Sequence, residues 1–136
     1  MTEISVVIPV YNCAGCLPAL HARLTATLAA LTPDYEIVLV DDRSRDGAWE
    51  ILAELARADP HLKVVRLSRN FGQHAAITAG LTRARGAWTV VMDCDLQEPP
   101  EEIARLYERE LRGPQHSSST LAPSGMCAAM AASRAV

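Results

Sequence analysis

Four short runs rich in β-branched residues set the strongest limit on what this chain can fold into: ISVVIPV (4–10), EIVLV (36–40), KVVRL (63–67) and WTVVM (88–92). Each is apolar almost throughout, as in strands covered on both faces, so together they predict a buried parallel sheet. The segments between them read as helices. Leu17, Leu20, Leu24, Leu28 and Leu31 recur at three- and four-residue spacing, which predicts a helix over 16–31 that ends before Pro33. A second begins near Asp46 as N-cap, runs through Trp49, Leu52 and Leu55, and stops before Pro60. A third, over 73–85, buries Ile77 and Leu81 and ends with Gly86 in the left-handed position. Pro100 opens a fourth, with Glu101 and Glu102 at its positive end and Ile103, Leu106, Tyr107 and Leu111 on its inner face. Such alternation, with right-handed crossovers, predicts an α/β fold: an open, mainly parallel sheet with helices on both faces.

A chain of 136 residues suits one domain. From 113 to 136 the sequence is rich in Ala, Ser and Pro without sustained periodicity, and is expected to be an irregular carboxy-terminal tail. The formal charge of -3 excludes a general attraction to nucleic acid or anionic membrane, leaving Arg43, Arg45, Arg66, Arg69, Arg83 and Arg85 as candidates for a local anion site. No apolar stretch approaches the roughly 20 residues of a spanning helix, and the first residues lack a signal-like pattern, so a cytoplasmic location is expected. Cys13, Cys16, Cys94 and Cys127 are irregularly spaced and are expected to be reduced.

In such a sheet ligands bind outside the carboxyl ends of the strands, and there the polar residues of this sequence gather. Pro9-Val10-Tyr11-Asn12 follows the first strand, Asp41-Asp42 the second, Arg69 to His74 the third, and Asp93-Cys94-Asp95-Leu96-Gln97 the fourth. In extended chain Asp93 and Asp95 project to one side while Cys94 points away, so both carboxylates can converge on a divalent cation, with Gln97 adding a neutral oxygen. All-oxygen ligation suits magnesium or manganese, with substrate phosphates completing the shell. A DxD can equally cap a turn; its place at a strand end, opposite three other polar rims, favours the metal. Of Asp41 and Asp42, one can face the crevice while the other braces backbone, and Ser44 and Asp46 fit turn and cap roles. Arg69 and His74 flank a turn into a helix start, suited to a diphosphate, although a surface arginine and a packed or capping histidine are ordinary alternatives. Cys13-Ala-Gly-Cys16 sits where a thioredoxin-like redox pair would, but that reading leaves the acidic rims unexplained, and zinc would lack a second CxxC.

SVVIPVYN, IVLVDDRSRDG, LSRNFGQHAAITAGL and VVMDCDLQEPPE, in this order and spacing, resemble family 2 inverting glycosyltransferases of the GT-A fold, most closely the polyprenyl-phosphate branch. The resemblance covers residues 4 to 112 and implies that 1–112 is the nucleotide-sugar-binding part of an incomplete catalytic domain. It implies that Pro9, Val10, Tyr11 and Asn12 border the nucleotide base, that Asp42, rather than Asp41, bonds it, and that Arg69 lies near the ribose or diphosphate. Asp93, Asp95 and Gln97 match the metal-binding DxDxQ, with Asp93 also at the nucleotide. The implied reaction moves a sugar, with inversion, from a nucleoside diphosphate sugar to a polyprenyl phosphate or other acceptor; no catalytic base is assigned. Implied too are a position peripheral to the cytoplasmic membrane face and a partner chain supplying the acceptor half. A truncated remnant that binds nucleotide and metal without transfer is the alternative. The sequence departs from the family pattern at Arg43, at Cys13 to Cys16 and at Cys94, none of which removes a metal ligand.

Overall fold

The computed structural model describes residues 2–97, 99–112, 118–121 and 127–132, with side chains described for 2–97 and 99–109. Strands β1 (Ile4–Val10), β2 (Tyr35–Asp41), β3 (Leu62–Arg66) and β4 (Trp88–Val91) alternate with helices α1 (Leu17–Leu31), α2 (Ala48–Ala58), α3 (Gln73–Arg83) and α4 (Glu102–Arg112). β1 is parallel to β2 and to β4, and β2 to β3, giving the order β3-β2-β1-β4. The register sets Ile4 beside both Tyr35 and Trp88, so the strands climb together to one polar rim.

Strand residues alternate between two cores. Ile4, Val6, Ile8 and Val10, with Ile37 and Leu39, pack on Leu17, Leu20, Leu24 and Leu28 of α1, Leu52 of α2 and Ile103 of α4. The four α1 leucines are each 1% exposed or less, and burial of each contributes about 2 kcal/mol. Val7, Val38 and Val40 point the other way, onto Ala76 of α3. That alternation makes every residue of β1 and β2 buried, as the unbroken apolar runs require.

The structure corrects three local expectations. α3 buries Ala76 and Gly80, while Ile77 is half-buried and Leu81 is 43% exposed. Its backbone lies so near the sheet that a Cβ on Gly80 would stand 2.4 Å from Val7 Cγ1, which leaves room only for small residues on that face. Gly86 does not adopt a positive φ; a Cβ there would meet the Ser5 backbone nitrogen at 2.6 Å, so close approach is what demands glycine. The N-cap of α2 is Gly47, at φ 82°, and Asp46 stands one residue earlier, accepting from the Ala48 N–H at 3.2 Å.

Beyond α4, β5 (Ser118–Leu121) and β6 (Cys127–Ala132) pair antiparallel, and β6 joins β4 through Trp88 with Ala132 and Thr89 with Ala131. These segments therefore differ from the irregular tail expected. An open strand edge such as that of β4 offers unpaired backbone groups, and small-residue chain can pair with them without any hydrophobic alternation for the sequence to display. The remainder of that expectation, 113–117, 122–126 and 133–136, lies outside the described residues. Among the described residues no helix is long and apolar enough to cross a membrane.

Candidate functional site

β1 has β2 on one side and β4 on the other, so the loops leaving the strands part at its carboxyl end and open a crevice. A cleft of about 430 Å³ lies there. Pro9, Val10, Tyr11 and Cys13 line it from the end of β1 and the loop beyond, Asp42 from the end of β2, Asn70, Gly72 and Gln73 from the turn into α3, and Asp93, Cys94 and Asp95 from the loop after β4.

The rim loops are tied together by hydrogen bonds. The Asn12 N–H donates to Ser44 Oγ at 3.0 Å, the Arg45 N–H to Asn12 Oδ1 at 2.9 Å, and the Ala14 N–H to Asp46 Oδ2 at 2.9 Å. Asp42, 3% exposed, accepts the N–H groups of Phe71 and Gly72 at 2.8 and 3.0 Å, and so fixes the turn that carries Gln73. Asp41 is fully buried; it accepts from the Ser44 N–H at 3.2 Å and lies 3.6 Å from Arg66 Nε. Among the described residues, the non-glycine residues at positive φ are Asn12, Arg43 and Leu96, at 54°, 59° and 60°. Each follows a strand that ends at the rim, where about 1 kcal/mol or more of backbone strain apiece is sustained by the surrounding bonds.

Both aspartates of the DxD reach the cleft, although the chain there is a bend and not the extended strand expected, β4 having ended at Val91. Gln73 Nε2 donates to Asp93 Oδ1 at 3.2 Å and the Gln97 N–H to Asp95 Oδ1 at 3.2 Å. Desolvation first, and then the charge of Asp95, hold the Asp93 carboxyl above its ordinary pKa. Two carboxylates that repel one another in one cleft fit a divalent cation, which would relieve that repulsion. Among the described residues no third acidic, histidine or cysteine side chain completes a metal cluster with them, so a cation there would need oxygens from its ligand.

Of the residues singled out from sequence, Pro9, Val10, Tyr11, Asp42, Asp93 and Asp95 meet in the cleft. Asn12, Asp41, Arg69 and Gln97 are not among its lining residues. Asn12, Arg69 and Gln97 are exposed at the rim, Arg69 with Cζ 4.6 Å from the centroid of the Phe71 ring, and His74 is exposed on the first turn of α3. Among the described residues no arginine lines the cleft: Arg43 Nε donates to Leu67 O at 2.7 Å and Arg66 lies over Trp49. Asn70, Gly72 and Gln73, on the rim as the sequence predicts but assigned no contact from it, also line the cleft, and Gly72 has the positive φ of 100° that an Asn-Phe-Gly turn can signal. The cysteines also depart from the reduced state expected: Cys13 is disulfide-bonded to Cys94, which is buried in the main core, and Cys16 is free. A buried Cys94 two loops away is invisible to a reading based on CxxC spacing.

The family model described as Glycosyl transferase family 2 matches residues 5–118. An undecaprenyl-phosphate 4-deoxy-4-formamido-L-arabinose transferase of Aeromonas hydrophila is 49% identical over 111 residues, covering 81% of this chain and 34% of that protein. The like-named protein of Pseudomonas aeruginosa is 51% identical over 111 residues, with 81% and 33% covered. This chain thus spans about a third of the length of the curated relatives it matches. Among solved structures, Staphylococcus aureus TarS 1–349 superposes with a TM-score of 0.59 at 26% identity, covering 82% of this chain and 33% of the other, and its complex with UDP-GlcNAc with 0.51 at 30%, covering 69% and 27%. A mannosyltransferase of Pyrobaculum calidifontis, solved with GDP-Man and Mn2+, shares the fold with a TM-score of 0.62 at 24% identity, covering 79% and 32%. The α/β sheet with its four parallel strands and flanking helices is that of GT-A glycosyltransferases, and the match over most of its length establishes that this chain belongs to glycosyltransferase family 2.

Proposed function

We propose that the cleft binds the diphosphate end of a nucleoside diphosphate sugar with magnesium or manganese between its phosphates and Asp93 and Asp95, in the service of inverting sugar transfer to a polyprenyl phosphate. The observation that carries this reading is the convergence of both carboxylates with Pro9, Val10 and Tyr11 in one crevice at the carboxyl ends of β1 and β4. The donor class is supported by the UDP-GlcNAc bound to TarS, and the acceptor class by the names of the relatives.

In this reading Pro9 to Tyr11, with Asn12 at the outer edge, frame the base. Asp42 holds a fixed carboxylate whose remaining lone pairs accept from base or ribose, while buried Asp41 braces the loop. Gln97 offers the third protein oxygen and Arg69 stands toward the ribose or diphosphate. The cation would supply electrostatic neutralisation of the leaving diphosphate. The unit so defined is 1–112. No general base is assigned, since a lipid phosphate is already an anionic nucleophile; a partner chain is one source of its binding surface. A lipid acceptor would set the work at a membrane surface, and the cytoplasmic face is the side proposed.

Calorimetric titration with UDP and GDP, in manganese and in chelator, tests the site. The parent binds about tenfold more tightly with metal, and Asp95→Ala loses that increment with its circular dichroism unchanged. Equal affinity with and without metal contradicts the reading, and unfolding of Asp95→Ala would make the pair structural.

A further inference from the structure

The loop that carries Asp93 and Asp95 has one covalent tie. Cys94, between the two carboxylates and 6% exposed, is bonded to Cys13 in the loop after β1, and both cysteines line the cleft. The last backbone bond from β4 toward β1 before this loop is Met92 N–H to Val7 O at 3.1 Å. Beyond it the carboxylates depend on single hydrogen bonds from Gln73 and Gln97, and Leu96 sits at φ 60°. Cys94 is buried in the main core and Leu96 packs against it, which ties the loop to the fold, but a leucine in the left-handed region strains the bend beside Asp95. The disulfide opposes relaxation at the residue between the two acids, and on its other side Cys13 belongs to a loop already fastened to the β2 loop through Asn12 and Ala14.

We infer that the Cys13–Cys94 disulfide is a positioning device for Asp93 and Asp95, so that metal-linked nucleotide binding by this chain depends on the redox state of that pair. The inference rests on the donor-site reading above. Reduction by a dithiol transfers two electrons and two protons to the pair; the S–S bond breaks, two thiols form, and the dithiol closes to its own disulfide. The loop is then free to leave the strained conformation, and the two carboxylates no longer share a fixed separation. Cys16, whose Sγ lies 4.0 Å from the Asp95 carbonyl oxygen, is a free thiol close enough to the loop to be worth silencing in the test.

The experiment uses the 136-residue chain carrying Cys16→Ser, oxidised or reduced with dithiothreitol, titrated with UDP or GDP in manganese and in chelator. The ratio of the two dissociation constants is the readout, since a general loss of structure would weaken binding in chelator as well. On reduction that ratio falls by about tenfold, the range for groups that orient metal ligands, while binding in chelator stays the same; reoxidation restores it. Cys94→Ala, which removes the bond without reductant, matches the reduced chain and no longer responds to dithiothreitol. An equal metal increment in both redox states overturns the positioning role while leaving the donor site standing. Absence of any increment in the oxidised parent overturns the donor site itself and the inference with it. Loss of the helical circular dichroism signal on reduction assigns the bond to the fold as a whole and equally overturns the inference.

Discussion

Glu36 brings a carboxylate into the sheet, 3% exposed, with two hydrogen-bond donors on one oxygen and the charge of Lys63 at the other. Lys63 Nζ is 2.6 Å from Oε1, while Ser5 Oγ and the Arg85 N–H each donate to Oε2 at 2.6 Å; Ser5 Oγ in turn accepts the Gly86 N–H at 2.7 Å. Burial pushes the Glu36 pKa up, but the bonds from Lys63, Ser5 and Arg85 outweigh it and hold the group below its ordinary value. A depressed carboxylate stabilises the fold above the ordinary glutamate pKa of about 4.3 and loses that contribution as pH falls through the depressed value. Glu36→Ala is therefore expected to cost about 3 kcal/mol at neutral pH in urea denaturation. Below about pH 4.3 the parent should lose stability more steeply than Glu36→Gln. None of this was legible beforehand, because Glu36 reads as the polar edge of an apolar run and its partners lie on two other strands and in the loop before β4. That Asp93 and Asp95 both reach the cleft was legible, since it follows from local order: two acids one residue apart just beyond a strand.

At the scale of elements, periodicity served where side chains do the packing and misled where the backbone does. α1 shows its leucines at helical spacing and buries them, so Leu24→Ala should cost about 3 kcal/mol. α3 reverses the rule, setting Ala76 and Gly80 against the sheet and leaving Leu81 outside. Gly80→Ala gains up to about 1 kcal/mol of helix propensity. It must also place a methyl 2.4 Å from Val7 Cγ1 and 3.2 Å from Val40 Cγ2. Overpacking of that kind costs about 1–3 kcal/mol, so the net effect is expected to be destabilising, by about 1 kcal/mol or more. Leu81→Ala should change stability by less than about 1 kcal/mol. Thermal unfolding of the two variants side by side checks the pair; a stabilised Gly80→Ala would mean that α3 stands off the sheet. The same limit explains β5 and β6, which pair through backbone groups that carry no hydrophobic signature.

Over the whole molecule, the parallel order β3-β2-β1-β4 puts four separate strand ends on one rim, and this is why residues as far apart as Val10, Asp42, Gln73 and Asp95 share a cleft. That arrangement follows from β-α alternation and was readable; which residues turn inward was not, since Arg69 and Gln97 occupy the rim without lining the cleft. On the donor-site proposal, a divalent cation and a nucleotide diphosphate meet at Asp93 and Asp95. Paramagnetic broadening tests it directly: manganese added with UDP or GDP to isotope-labelled protein of 14.7 kDa broadens the amide signals of its nearest neighbours. Selective loss is expected at Val10, Gly72, Gln73 and Asp93 to Asp95, with Leu24 and Leu52 of the helical core retained. Broadening centred elsewhere, for example at Glu101 and Glu102 where α4 begins, or spread evenly over the spectrum, would contradict it.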